Sequence, residues 1–193
     1  SRAWSEGPKV IRFKVTSGTL DAEVTNAGTV IWQLPDGTIS TSNRLNGINV
    51  TPGVVACKAD NFGAPDAQFA LRTCTALMYD LVFPTMLQNI YIVGSINQYV
   101  NAAINISGLP KYLKSFISIY QASVAGAIID IPRYINVFNM RLGQLNTLTG
   151  RLADLPSTIT DLQLGSGYGW KDVEGTLLDI PRSVTKLELY GNT

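Results

Sequence analysis

An apolar residue followed by proline recurs five times in the second half of this 193-residue chain: Phe83-Pro84, Leu109-Pro110, Ile131-Pro132, Leu155-Pro156 and Ile180-Pro181. Successive prolines stand 26, 22, 24 and 25 residues apart. Self-similarity at such a period marks stacked coils, each too small to cover its own apolar side. Aligned on proline, three further columns are apolar. Three places on come Leu87, Leu113, Ile135, Ile159 and Val184; six places on come Ile90, Phe116, Phe138, Leu162 and Leu187. Eight places on come Ile92, Ser118, Met140, Leu164 and Leu189, where Ser118 breaks the pattern.

The columns at six and eight places alternate with more polar neighbours, so they read as one short strand with its apolar side inward. Proline lacks an N–H and marks the turn before that strand. Six places before later prolines stand Gly126, Gly150 and Gly175, residues that permit a tight corner. Stacking these coils predicts a continuous core with a parallel sheet along one wall.

The first half reads differently. Residues 9–63 contain short β-type runs, with Pro35-Asp-Gly37 as a turn between two of them. Strands at this spacing predict a small β-sandwich. Residues 64–82 are expected to link the two parts and to cap the first coil. Cys57 and Cys74 are either a disulfide or two buried thiols. Asn49-Val-Thr51 and Asn105-Ile-Ser107 fit the glycosylation acceptor pattern.

Two resemblances sharpen these expectations. Residues 83–193 resemble leucine-rich repeats, most closely at 150–193. Leu187-x-Leu189-x-x-Asn192 matches that family's LxLxxN core, and the run from Leu155-Pro156 to Leu164 matches its LPxxLxxLxL form. The asparagine column departs from the pattern, with Ser95, Gln121, Gly143 and Gly167 at the equivalent places. The resemblance therefore implies an irregular solenoid and a binding scaffold. The run from Trp32 to Ser40 resembles the WDFGDGxxS signature of the polycystic-kidney-disease (PKD) type of Ig-like module, and the run from Thr51 to Asn61 resembles a later strand of that module. Gln33 and Pro35 depart from the signature. This resemblance implies a spacer and interaction module. The expected fold is thus mainly β: a PKD/Ig-like sandwich over 1–63, a linker over 64–82, and five leucine-rich-repeat-like coils over 83–193. The last strand is barely complete at Thr193 and no polar cap follows. The natural protein is expected to continue, or this end to pack on another subunit.

Composition excludes much chemistry. There is no histidine, which removes the commonest general base and metal ligand. No phosphate-binding glycine loop, nucleophile elbow or ligand cluster is present, so neither catalysis nor a cofactor is expected. Asp172 and Glu174 form an acidic pair, but in a glycine-rich stretch that reads as a solvated loop. Net charge is +1 with no basic block, which argues against nucleic acid. No apolar run approaches the roughly 20 residues of a membrane-spanning helix. Charged residues make up only 15% of the chain. Ser, Thr, Asn and Gly take their place, as in β-rich extracellular or virion-surface proteins.

What remains is a surface. Residues five, seven and nine places after each proline point outward along the sheet. Tyr91, Ile117, Ile119, Asn139, Arg141, Gln163, Glu188 and Tyr190 are the candidate contacts, with Tyr168 and Trp170 from the glycine-rich stretch. Tyr91, Val93, Ile117, Ile119 and Val137 form an apolar patch of the kind that marks a partner site. The expected function is non-catalytic adhesion to a protein or glycan at a cell or particle surface. A self-assembling subunit of a virion, fibre or filament is the other reading.

Overall fold

The structure is a computed structural model, and it describes residues 9–95, 100–120, 123–141, 147–165 and 172–190. Six strands come first: β1 Ile11–Val15, β2 Gly18–Thr25, β3 Val30–Gln33, β4 Ile39–Ser40, β5 Arg44–Val50 and β6 Gly53–Ala59. The remainder alternates between two walls. Wall one carries β7 Gln68–Leu71, β9 Asn89–Val93, β11 Ser115–Ile119, β13 Val137–Arg141, β15 Asp161–Gly165 and β17 Lys186–Tyr190. Wall two carries β8 Cys74–Val82, β10 Val100–Asn105, β12 Ser123–Ala127, β14 Thr147–Arg151 and β16 Asp172–Glu174.

Among the described residues there are two sheets, in the orders β17-β15-β13-β11-β9-β7-β2-β5 and β16-β14-β12-β10-β8-β1-β6-β3-β4. A parallel β-solenoid of about five turns therefore runs from residue 68 onward. Two expectations change here. A sheet was expected along one wall, and both walls have one. Residues 64–82 were expected as a linker and cap, yet they hold β7 and β8. β7 pairs antiparallel with β2 and parallel with β9. β8 pairs antiparallel with β1 and parallel with β10. The first six strands thus extend the solenoid's own two sheets, and one hydrophobic core runs through both parts.

Each coil repeats one set of turns. A 3₁₀ turn closes wall two at Ile106–Gly108, Ile128–Asp130, Leu152–Asp154 and Leu177–Asp179. The apolar residue after each turn donates its N–H back to the turn's first carbonyl, as Leu109 does to Ile106 at 3.1 Å. The proline carbonyl then accepts from the residue three places on, as Pro110 does from Leu113 at 3.1 Å. Two residues before its turn, Gly126 adopts φ 144°, a backbone state that side chains rarely take.

The inward columns hold. Ile90, Phe116, Phe138 and Leu162 are buried and pair in register across neighbouring strands. The Phe116 and Phe138 rings stack at 5.6 Å. In the last coil Leu177 and Leu187 are 67% and 41% exposed. The coils are laced where the proline turn meets the strand. Each carbonyl four places after proline takes two N–H groups from the next coil: Gln88 from Lys114 (2.8 Å) and Ser115 (3.0 Å), Lys114 from Asn136 (2.8 Å) and Val137 (3.1 Å). Asn136 and Thr160 repeat the fork. Arg133 adds a stitch, donating to the carbonyls of Asp154 at 2.9 Å and Ile131 at 3.0 Å. Backbone forks of this kind satisfy buried polar groups without an asparagine ladder.

Cys57 and Cys74 are buried free thiols, which corrects the disulfide alternative. Cys57 lies on β6 and Cys74 on β8, with β1 between them. Two strand spacings are about 9–10 Å, beyond the roughly 7 Å Cα separation that a disulfide tolerates. Burial pushes both thiols up. Neither thiol is therefore expected to react with Ellman's reagent in the native protein, and both are expected to react after unfolding. Prompt reaction of either native thiol would contradict this burial.

Among the described residues no helix is long and apolar enough to cross a membrane.

Candidate binding face

The outer side of the eight-stranded sheet carries the candidate contacts in straight columns. Strand register places Tyr91, Ile117, Asn139, Gln163 and Glu188 side by side on successive strands. The next column is Val93, Ile119, Arg141, Gly165 and Tyr190, and a third is Asn89, Ser115, Val137, Asp161 and Lys186. Parallel pairing sets neighbours about 4.8 Å apart, so each column is a continuous strip.

The face also extends past the periodic strands. β7 places Ala70 beside Tyr91, and β2 places Glu23 beside Ala70. Arg72 binds Glu23 at 3.1 Å, and Arg44 binds Asp21 through paired bonds of 3.0 and 2.9 Å. These four charges neutralise one another at the N-terminal end of the strip. No periodic pattern could have found them, because they join the face only through antiparallel pairing with β7.

The middle of the strip is apolar but only partly open. Tyr91, Val93, Ile117, Ile119 and Val137 are all half-buried, not the freely exposed patch that was expected. Wide side chains on flat, in-register strands cover one another.

The C-terminal part is polar and more unusual. Asn139 and Gln163 point outward by register, yet they are only 6% and 3% exposed. Gln163 donates from Nε2 to Asp161 Oδ1 at 3.1 Å. Asn139 Oδ1, Gln163 Oε1 and Arg141 Nε are buried without a hydrogen-bond partner. Such atoms are rare in folded proteins, and each is destabilising by about 1–3 kcal/mol until something meets it. Beside them the Tyr190 ring lies over Gly165, where any side chain would collide with it. The Tyr190 hydroxyl donates to Glu188 Oε2 at 2.6 Å, and this bond pushes its pKa up, with Arg141 acting in the opposite sense. Lys186 reaches Glu188 at 4.0 Å.

Tyr91, Ile117, Ile119, Asn139, Arg141, Gln163, Glu188 and Tyr190 are therefore brought together on one surface. Tyr168 and Trp170 lie outside the described residues. Asp172 and Glu174 are not on a loop: they belong to β16, both are exposed, and they stand at the edge of the other sheet. Asn49 and Asn105 are both exposed.

No family model, no curated protein and no solved structure matches the chain.

Proposed function

We propose that this protein is a non-catalytic surface-binding module whose outer sheet face holds a protein or glycan partner. The three unpartnered polar atoms of Asn139, Arg141 and Gln163 carry this reading. Two amide oxygens and one guanidinium N–H form an acceptor–acceptor–donor set on neighbouring strands, and a polar group that parts the side chains covering them would complete it. The half-buried apolar strip beside it supplies area for contact. The leucine-rich-repeat resemblance supports a binding scaffold, and the PKD-like run supports a spacer role. Both suit an extracellular, cell-surface or virion-surface setting.

A site kept for a ligand at the expense of stability behaves in a recognisable way. The double variant Asn139→Leu with Gln163→Met removes two orphaned oxygens and keeps the volume, at the loss of the Gln163–Asp161 bond. It is expected to gain about 1–3 kcal/mol in denaturant unfolding and to lose binding on a glycan and surface-protein array. A variant that is less stable, or that binds every hit as before, would sink the reading.

One observation favours a self-assembling subunit as the second reading. Leu177 and Leu187 of the last described coil are open to solvent, and exposed apolar side chains invite association. Light scattering across a concentration series, with Leu187→Lys as the blocking variant, separates the two. Association abolished by that variant would favour assembly.

A further inference from the structure

The opposite face of the molecule holds a groove of about 310 Å³ beside the ends of β8 and β10. Its origin is a parting of strands. β8 pairs with β10 only as far as Met78 with Ala102. It then stays with β1 up to Val82 opposite Arg12, through a register irregularity. At the parting Asp80 takes φ 52°, unusual for a residue with a side chain. Bulges and left-handed residues of this kind cluster at functional sites. β10 meanwhile pairs onward with β12, where Ala103 faces Ser123 and Asn105 faces Ala125. Alanines on the outward face, with Gly108 in the following turn, leave a low floor between the raised end of β8 and the strands beyond.

We infer that this groove binds one ring of a neutral sugar. The floor of Ala103, Ala125 and Gly108 is apolar and shallow, which suits the C–H face of a pyranose. The polar groups stand at the rim and are of complementary kinds. Asp80 offers acceptors. Asn105 turns its Oδ1 to the N–H of Ser107 at 3.1 Å and to its hydroxyl at 2.8 Å, which leaves its amide nitrogen as a donor. Tyr79 adds a phenol and a ring edge on the β8 side. Lys14 pairs with Asp80 at 3.4 Å, so the rim carries no net charge to select an ionic ligand. An extended peptide fits poorly, because it would need a long free strand edge and the parted stretch is only a few residues long. The volume matches the lower end of small-ligand pockets. This site shares no residue with the outer face of the other sheet, and the two stand or fall separately.

Saturation-transfer NMR and titration calorimetry with free glucose, galactose, mannose and N-acetylglucosamine at millimolar concentration test the inference. At least one of these sugars is expected to bind. Asp80→Asn keeps a residue type that tolerates the left-handed backbone and is expected to weaken binding roughly tenfold, the size of one hydrogen bond to a charged group. Asn105→Asp keeps the oxygen that caps the next turn, removes the donor and is expected to weaken binding as well. Ala103→Phe fills the floor from an exposed position and is expected to abolish it. Arg141→Ala, on the far face, is expected to change nothing. Silence from all four sugars, or binding indifferent to Asp80→Asn and Ala103→Phe, would overturn the assignment and leave the reading of the other face untouched.

Discussion

Phe138→Ala is expected to lower stability by about 3–5 kcal/mol, the usual result of truncating a buried aromatic side chain. Phe138 is fully buried, stacks on Phe116 at 5.6 Å and pairs in register with Leu162 on the other side. It stands in the middle of the pile of coils. A void there cannot be closed from above or below, because forked backbone bonds hold both neighbouring coils at fixed spacing. In a chain of this size each kcal/mol shifts the melting midpoint by roughly 2–4 °C. The expected drop is therefore about 6–20 °C, readable by circular dichroism or denaturant titration. Solenoids unfold by neighbour coupling, so the transition is also expected to broaden as the coils on either side of the void uncouple. A loss below about 1 kcal/mol would mean that Phe138 does not lie in the shared core.

Gly18→Ala is expected to destabilise by about 3 kcal/mol or more, though it adds a single methyl. Gly18 opens β2, just after β1, where the chain crosses from one sheet to the other. Its φ of 148° is strained for any other residue, at about 1–3 kcal/mol. An added Cβ would also meet Ala76 N at 2.6 Å and Ala76 Cα at 2.9 Å. Those are backbone atoms of β8 and cannot swing aside, which adds overpacking of about 1–3 kcal/mol. The strand that would have to move is one of the two joining the first six strands to the solenoid, so the junction is expected to loosen first. Hydrogen exchange should show faster loss of protection in β1, β2 and β8 than in β13 or β15. Uniform protection, or a stability change under about 1 kcal/mol, would contradict the close approach.

The solenoid was legible because its coils repeat. One Pro-phased column is weak, but four apolar columns, that of Phe138 and Leu162 among them, agree with one another, and agreement among levels is what specifies a fold. The outward columns followed from the same register, which is why Asn139, Gln163 and Tyr190 could be placed on one face. The second wall was harder to see. β12 and β16 are short, rich in small or charged residues, and carry little apolar alternation. Asp172 and Glu174 accordingly read as loop. Cys57 and Cys74 are close in sequence, and nothing local shows that β1 runs between their strands. The groove at Asp80 was invisible for the same reason: it arises where β8 leaves one partner for another.

The sequence by itself determined the period of the coils, their inward rows and the absence of histidine chemistry. These are local or repeating properties, so each unit states them again. Only the tertiary structure decided that the first six strands continue the same two sheets, that both walls carry strands, and that polar atoms of Asn139, Arg141 and Gln163 on the outer face stay without partners. Those outcomes depend on which distant strands become neighbours. Pairing partners, unlike periodicity, are chosen by the whole chain's need to bury one core and satisfy its backbone at once.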